Sequence, residues 1–245
     1  FGDDPEVLYW AGRAGCRLVL LGVEAESADA LADVNKRLNL SRGVASYDPA
    51  FRRIQRAGIA IMGTYIFGTD SDTPASLHRR ADFMIRSGTD IMIAQLLTPL
   101  PGTRLFGRYC EQGRLRYTDF PSDWERYDMS EVVHCPRRMA PEVLAREFGA
   151  VNERLYTWYT LAYKALRTLW RTRNVMAPWI AWTAHRLWQT SDKGTQTGPA
   201  QGGRVRRLAI ELALDLWLNR RAAASARKAK SSGHRSPSTV KEEIQ

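Results

Sequence analysis

The stretch AGIAIMGTYIFGTDSDT, residues 57–73, decides the fold of this chain. It starts with a helix-ending glycine, Gly58, and continues as a nearly unbroken apolar run to Phe67. A polar loop follows, and Thr73-Pro74 then provides a start for the next helix. Continuous apolar runs are typical of strands that are covered on both faces, as in parallel sheets. The stretch therefore predicts a buried strand, a loop and a helix in that order.

The same strand, loop and helix unit occurs three times. Apolar runs near 17–23, 60–67 and 91–97 alternate with helices, and strands spaced in this way imply right-handed crossovers and a parallel sheet. We predict an α/β fold with three adjacent parallel strands in sequence order and helices on one outer side. The predicted helices run from Asp3 or Asp4 to Ala14, from Ser27 towards Arg37, from Asp48-Pro49 to Gly58, from Thr73-Pro74 to Gly88, and from Thr103 to Gly113.

Unusual polar residues lie in the loops that follow the strands, at 24–27, 68–73 and 98–103. Parallel α/β sheets bind ligands at the carboxyl ends of their strands, which is where these loops meet. The opposite loops are short and plain. We therefore expect the functional face at the carboxyl edge, with helix capping and turn formation by the same residues as the alternative interpretation.

Composition limits the class of protein. The 245 residues are 44% hydrophobic and 25% charged, which suits a globular core and excludes disordered, collagen-like and coiled-coil chains. No apolar run is long enough for a spanning helix. The cysteines, Cys16, Cys110 and Cys135, match no metal-binding spacing, so we expect no metal ligands in this chain and a reducing cytoplasm. The first residue is Phe1, and we expect a longer parent chain.

Several motifs, in order, resemble one enzyme family. AGCRLVLLGVEAES (14–27), the 57–73 stretch and LTPLPGTRLFGRYCEQGRL (97–115) resemble the later strands of radical S-adenosylmethionine enzymes, of the group that often carries an N-terminal cobalamin-binding domain. DWERYD, VVHCP and MAPEVL then resemble the short C-terminal domain of that group. The resemblance covers residues 3–165.

The resemblance implies the C-terminal half of a (β/α)6 partial barrel over residues 1–115, with a helical domain at 116–190 packing on it. In the family, three cysteines after the first strand hold a 4Fe-4S cluster, and S-adenosylmethionine bound to it yields a 5′-deoxyadenosyl radical that abstracts a substrate hydrogen. An electron donor, a small apolar or lipid-like substrate and, as an option, cobalamin are also implied. This sequence has no CxxxCxxC, so we expect the chain alone to be inactive.

The resemblance also implies cofactor contacts after the first predicted strand. Glu24 matches the polar residue that holds the ribose hydroxyls or the methionine moiety, and a carboxylate suits two vicinal hydroxyls. Glu26 and Ser27 are neighbours that could substitute for it. The alternative interpretation of Glu24 is a favourable charge near a helix N-terminus.

Further contacts follow from the second and third strands. Residues matching the segment that packs on adenine are Gly63, Thr64, Ile66 and Gly68, where missing side chains would let a base approach the backbone; tight strand packing is the alternative. Gln95 is an amide in an apolar run, expected either to bond cofactor or substrate or to be a satisfied core amide. Leu97 and Pro99 would form an apolar edge near adenine.

Two histidines complete the candidate residues. His78 is expected on a solvent-facing helix surface. His134 precedes Cys135, but the pair lacks a third group, which disfavours a nucleophile.

The second half of the chain is basic and rich in tryptophan. From Arg154 to Lys230 there are 15 Lys/Arg against three acids, a net +12, and six of the eight tryptophans. Helical spacing recurs from Leu155 to Trp170, Pro178 interrupts it, and Trp179 to Trp188 is predicted to form a short aromatic helix. We predict a linker at 191–203, an amphipathic helix at 204–221 and a disordered tail at 222–245.

Three roles of the basic helices remain open: packing on the barrel, salt-sensitive peripheral contact of 154–221 with anionic membranes at the inner membrane face, and, least favoured, nucleic-acid binding. The alternative function is accordingly a non-catalytic module that binds a membrane or partner.

Overall fold

Three parallel strands form the centre of the protein. The computed structural model describes residues 1–183, and in them β1 (Leu18–Glu24), β2 (Ala60–Phe67) and β3 (Ile91–Leu96) lie side by side in sequence order. β2 pairs in parallel with both neighbours. The predicted α/β class, strand positions and strand order are confirmed, and the sheet flanked by helices is consistent with part of a TIM-type barrel.

Eight helices are named in the described residues. They are α1 (Pro5–Arg13), α2 (Ala28–Asp33), α3 (Arg37–Arg42), α4 (Tyr47–Arg56), α5 (Pro74–Arg86), α6 (Arg104–Glu111), α7 (Pro141–Leu155) and α8 (Trp158–Thr172), with 3₁₀ turns at Val44–Ser46 and Ser122–Arg126. Three predicted start residues cap their helices: Asp4, Thr73 and Thr103 each accept a hydrogen bond from a backbone N–H of the first turn. The start predicted at Asp48-Pro49 is not a cap, because α4 already begins at Tyr47.

The single helix predicted from Ser27 towards Arg37 is wrong. The chain forms α2 and α3 there, and Asn35 between them has a φ of 54°. A left-handed residue cannot continue a right-handed helix, and asparagine is one of the few side chains that adopts this conformation readily.

The two faces of the sheet differ in their cover. Odd-numbered residues of β2, such as Ile61 and Tyr65, are fully buried against the helices. Even-numbered residues of β2, namely Met62, Thr64 and Ile66, are partly exposed on the opposite face, which we call the inner face. Alternation along a strand and register between strands place Leu20 of β1 and Gln95 of β3 on this inner face as well.

The inner face is only partly open. Leu20, on edge strand β1, is 61% exposed. However, the helical segment 176–183 covers the face near the strand beginnings, where Ala181 is buried with Ile91 and Ile93. Apolar side chains at that end of the sheet explain this cover, because burying them against a helix removes them from water. The face is therefore covered where Ile91 and Ile93 lie, open at Leu20 on the edge strand, and partly exposed at Ile66 and Gln95 towards the carboxyl ends.

Helices α7 and α8 follow the sheet and pack on its outer helices. α7 contacts α5, and α8 contacts α4. No helix of the described residues is long and apolar enough to cross a membrane. The predicted boundaries at residues 115 and 190 stay predictions, and the linker at 191–203, the amphipathic helix at 204–221 and the tail at 222–245 lie outside the described residues.

Candidate functional site

Strand β1 ends in a bulge that sets the direction of the Glu24 side chain. The register with β2 shifts between Gly22 and Glu24, and Glu24 has a φ of 66°. The Asn39 side-chain amide donates to the carbonyl oxygens of Gly22 and Val23 at 3.0 and 3.1 Å, and it thereby fixes the bulge. A left-handed glutamate costs on the order of 1–2 kcal/mol, and such strain clusters at functional sites. The bulge is thus the first structural indication of a site at this edge.

The Glu24 carboxylate lies over the inner face. Its Oε1 accepts a hydrogen bond from the Lys36 ammonium at 2.8 Å. A Cβ built on Gly22 would lie 2.5 Å from that oxygen and 2.6 Å from Lys36 Nζ, so the ion pair occupies the space that a side chain at Gly22 would fill. Because Gly22 is in register with Thr64, the carboxylate lies on the same face as the Thr64 hydroxyl.

Ile66 and Gln95 continue this face across the sheet. They are direct neighbours in the β2–β3 register, and both are partly exposed. The Gln95 amide Nε2 lies 3.1 Å from Met129 Sδ, a weak acceptor. The structure therefore brings four predicted residues to one face: a carboxylate, a hydroxyl, an apolar side chain and an amide.

Gly63 and Gly68 do not belong to this face. A Cβ on Gly63 would point to the helix side, 2.4 Å from Thr89 Cγ2, and a Cβ on Gly68 would lie 2.6 Å from Leu144 Cδ2. Gly68 also has a φ of 90°. At both positions the missing side chain makes room for a neighbouring element, so the tight-packing alternative is the one that the structure supports.

Glu26 and Ser27 serve the scaffold. Glu26 accepts a hydrogen bond at 2.7 Å from Arg80, whose side chain is fully buried. Arg80 also donates to both carboxylate oxygens of Asp72, at 2.9 and 2.8 Å. Ser27 accepts from the Ala30 N–H and caps α2. The Arg80 network ties the loops after β1 and β2 together through Glu26, and Ser27 is engaged in capping α2, so both candidates to replace Glu24 have structural partners.

Leu97 and Pro99 are buried just beyond β3. The Leu97 N–H donates to the Phe67 carbonyl at 2.7 Å and so extends the pairing of β2 and β3 by one residue. On the other side of β3, the Leu96 N–H donates to the Met129 carbonyl at 2.9 Å. The segment around Met129 thus borders the carboxyl end of the sheet next to Gln95.

Both histidines are held by the scaffold. His78 keeps 43% of its side chain exposed, as expected for a helix surface, and its Nε2 also lies 3.0 Å from Glu147 Oε2 and connects α5 with α7. His134 is fully buried, and its Nε2 lies 2.9 Å from the Gly68 carbonyl. Burial lowers the pKa of His134 below its usual value, so the ring is neutral at pH 7 and donates from Nε2.

The cysteines do not fit an iron–sulfur cluster. Cys16 precedes β1 at the amino end of the sheet, Cys110 is exposed on α6, and Cys135 is exposed within the 132–136 motif. Within residues 1–183, no three His, Cys, Asp or Glu side chains are grouped as metal ligands. The inner face does fit a nucleoside-bearing ligand in its chemistry, since it offers acceptors, a hydroxyl and an amide around an apolar side chain.

Sequence patterns missed the residues that support Glu24. Lys36 and Asn39 lie 12 and 15 positions after it, just before α3 and within α3, and no periodicity connects them with β1. Arg80 was also missed, because it occupies one position of an apparently ordinary amphipathic helix. The only local indication was the lone polar residue at the end of an apolar run.

Comparisons with known proteins relate the chain to methyl-transferring enzymes. It is 32% identical over 156 residues to the bacteriochlorophyllide d C-12(1)-methyltransferase of Chlorobaculum tepidum, an alignment covering 64% of this chain and 32% of that protein. It is 27% identical over 176 residues to the C-8(2)-methyltransferase of the same organism, covering 72% and 37%. The hopanoid C-2 methylase of Rhodopseudomonas palustris is 29% identical over 115 residues, covering 47% and 21%.

No family model matches the chain. The chain spans about a third of the length of the first two relatives, 32% and 37%. The similarity thus concerns part of each relative.

Proposed function

We propose that this chain is the C-terminal half of the catalytic barrel of a radical S-adenosylmethionine methyltransferase. The observation that carries the proposal is the 32% identity over 156 residues to a bacteriochlorophyllide methyltransferase. The family motifs in the loops after the strands agree with it. Two relatives are named for a bacteriochlorophyllide and one for a hopanoid, both large polycyclic molecules, so we propose a substrate of that kind.

The inner face supplies the protein groups for such a cofactor. The Glu24 carboxylate is suited to accept hydrogen bonds from the two ribose hydroxyls of S-adenosylmethionine. Ile66 offers an apolar surface for adenine, while Thr64 and Gln95 offer polar groups at its edges. These residues bind and orient the cofactor, and the buried strand ends around them exclude water.

The iron–sulfur cluster needs ligands that are not among these 245 residues, since no CxxxCxxC is present. We propose that the parent protein provides them, that an external electron donor reduces the cluster, and that cobalamin serves as the methyl carrier. S-adenosylmethionine supplies the methyl group when it is bound. The chain alone is then inactive, and its contribution is half of the cofactor site.

The experiment starts with the genomic reading frame that contains this chain. We expect it to encode a CxxxCxxC motif before Phe1. The complete product, reconstituted with iron, sulfide and cobalamin without oxygen, is given methyl-labelled S-adenosylmethionine and either a bacteriochlorophyllide or a hopanoid. Label in one of the two substrates is the expected result. A complete reading frame without the motif, or a loaded enzyme that transfers label to neither substrate class, would overturn the proposal.

A further inference from the structure

Helix α8 packs on the protein through its polar side. The Lys164 ammonium is buried and donates to the carbonyl oxygens of Met84 and Thr89 at 2.6 and 2.9 Å. The Thr168 hydroxyl donates to the buried Asp90 carboxylate at 2.6 Å. These partners lie at the end of α5 and before β3, so α8 crosses the amino-terminal end of the sheet. The carboxyl-edge site lies at the opposite end.

Other basic side chains of this region are also engaged with the barrel. Arg167 donates to the carbonyl oxygens of Arg86 and Ser87 at 2.5 and 2.7 Å. Arg154 forms an ion pair with Asp82. Carbonyl groups at the end of a helix attract cations, which explains why basic residues face inward here. Lys164, Arg167 and Arg154 are therefore engaged within the fold.

The apolar side of α8 is exposed to solvent. Its exposed residues, which we call the α8 outer face, are Trp158, Tyr159, Tyr163, Leu166, Leu169 and Trp170. Trp170 is 79% exposed and Leu166 is 69% exposed. Burying such a face in water-free surroundings is favourable, and tryptophan and tyrosine prefer the boundary between apolar and polar phases. The outer face is thus suited to dock on a partner that offers an apolar phase next to water.

A cleft rich in arginine adjoins this face between the ends of α4 and α8. It has a volume of about 560 Å³ and is lined by Arg52, Gln55, Arg56, Trp170, Arg171, Thr172 and Arg173. Trp170 belongs to both surfaces, so the two are continuous. We call this cleft the arginine cleft.

The arginine cleft carries uncompensated positive charge. Asp48 pairs with Arg52 at 2.8 Å and lies 3.6 Å from Arg171. Gln55 accepts a hydrogen bond from Arg171 at 3.1 Å. Arg56 and Arg173 form no ion pair with any residue in the described range 1–183. Four arginines thus face one carboxylate, and arginine is the side chain best suited to bind phosphate oxygens.

We propose that the arginine cleft holds the phosphate of an anionic phospholipid while the α8 outer face lies in the bilayer interface. The positive charge of the cleft favours an anionic phospholipid over the other occupants considered. A second copy of the chain carries a net +10, and residues 184–245 contain 12 Lys/Arg against five Asp/Glu, so the cleft repels both. Nucleic acid would match the charge, but the leucines of the outer face match an acyl boundary and not stacked bases.

Docking in this manner leaves the carboxyl-edge site accessible. The outer face and the cleft lie at the amino-terminal end of the strands, so the groups at the carboxyl edge lie at the end of the sheet that is away from the bilayer. The inference goes beyond the proposed function and needs neither S-adenosylmethionine nor a cluster. Its test can therefore fail or succeed independently of methyl transfer.

The test is co-sedimentation of the full chain with phosphatidylcholine vesicles, with and without phosphatidylglycerol. The double variant Arg56→Gln/Arg173→Gln removes the two unpaired cleft arginines. Its partition coefficient to phosphatidylglycerol vesicles should fall roughly 30-fold, as expected for two basic groups held close to an anionic surface. The matched control Arg79→Gln/Arg104→Gln removes two exposed, unpaired arginines elsewhere on α5 and α6 and should bind as the unchanged protein does.

A second variant tests the apolar part. Tyr163→Ser/Leu166→Ser should lower binding to both vesicle types by roughly tenfold or more, since it removes interfacial apolar area. Equal binding of the cleft variant and its control would overturn the proposal. So would cleft-dependent binding of inorganic phosphate without vesicle binding, displacement of vesicles by a DNA duplex, or self-association that the variants abolish.

Discussion

The carboxylate of Glu24 and the ammonium of Lys36 lie 2.8 Å apart and together fill the space over Gly22 on the inner face of the sheet. Lys36 contacts only Oε1, and within the described residues no group donates a hydrogen bond to Oε2. The carboxylate is therefore oriented by one partner while its second oxygen stays accessible. Pre-orientation of this kind lowers the entropy cost of binding a ligand with hydroxyl donors.

The first prediction concerns the buried arginine that connects the strand-end loops. Arg80→Met should destabilise the protein by about 3–5 kcal/mol, because it leaves the buried Asp72 carboxylate without its cation. The free energy of urea-induced unfolding is the measurement. Arg79→Met, on the exposed side of the same helix, should change it by less than about 0.5 kcal/mol. If the two variants are equally stable, Arg80 does not hold these loops.

A pH prediction follows from the buried phenol of Tyr65. Burial is the main cause that raises its pKa from 10.0 to about 12. Between these values the unfolded chain loses the proton and the folded protein keeps it, so the folded state binds more protons and its stability falls as the pH rises. The loss is close to zero at about pH 9, reaches roughly 2.3 kcal/mol near pH 12 and levels off at about 2.7 kcal/mol at higher pH.

Tyr65→Phe removes this titration. It also removes hydrogen bonds to Ser87 and Thr89, both at 3.1 Å, so the variant should be about 1 kcal/mol less stable at pH 8. At about pH 12 the difference should vanish or reverse. Unfolding at both pH values is the measurement, with the exposed Tyr163→Phe as control. A constant difference between Tyr65→Phe and the unchanged protein would contradict the assigned pKa.

Gly68 provides a test of packing against ligand binding. Gly68→Ala should destabilise the protein by roughly 1–3 kcal/mol, because its φ is 90° and the new Cβ would meet Leu144 at 2.6 Å. Gly107→Ala, on α6 with no heavy atom within 4 Å of the new Cβ, should instead stabilise by up to about 1 kcal/mol. The measurement is the thermal unfolding of both variants. If Gly68→Ala does not change the stability, tight packing does not explain this glycine, and contact with a ligand becomes the better explanation.

Local sequence patterns were sufficient to predict the fold, but they did not predict which face of the sheet each strand residue occupies. Apolar runs and helix caps such as Thr73 depend on neighbouring residues, and they predicted the sheet order correctly. A shift of one residue in the register of β2 would move Gly63 from the helix side to the inner face. Because the apolar run of β2 is continuous, its sequence does not indicate which of the two faces Gly63 takes. Gly63 was therefore assigned to the cofactor surface, whereas its missing side chain accommodates Thr89.

Long-range partners explain the other differences. Glu26 looks like a free loop carboxylate until Arg80, 54 residues later, is seen to pair with it. The periodicity of α8 shows an apolar side and a basic side but not which one packs inward. The carbonyl groups at the end of α5 take up Lys164, and this reverses the usual orientation of an amphipathic helix.

The central claim is that Glu24 belongs to an S-adenosylmethionine site, and equilibrium binding of that cofactor to the complete, cluster-loaded protein tests it most directly. Glu24→Gln should weaken binding by about 1.5–3 kcal/mol, roughly 10- to 150-fold, through loss of a charge-assisted hydrogen bond. Asp29→Asn, which removes an exposed carboxylate from the first turn of α2, serves as the control for a mere helix charge and should leave the dissociation constant unchanged. Equal dissociation constants for Glu24→Gln and the unchanged protein would contradict the account.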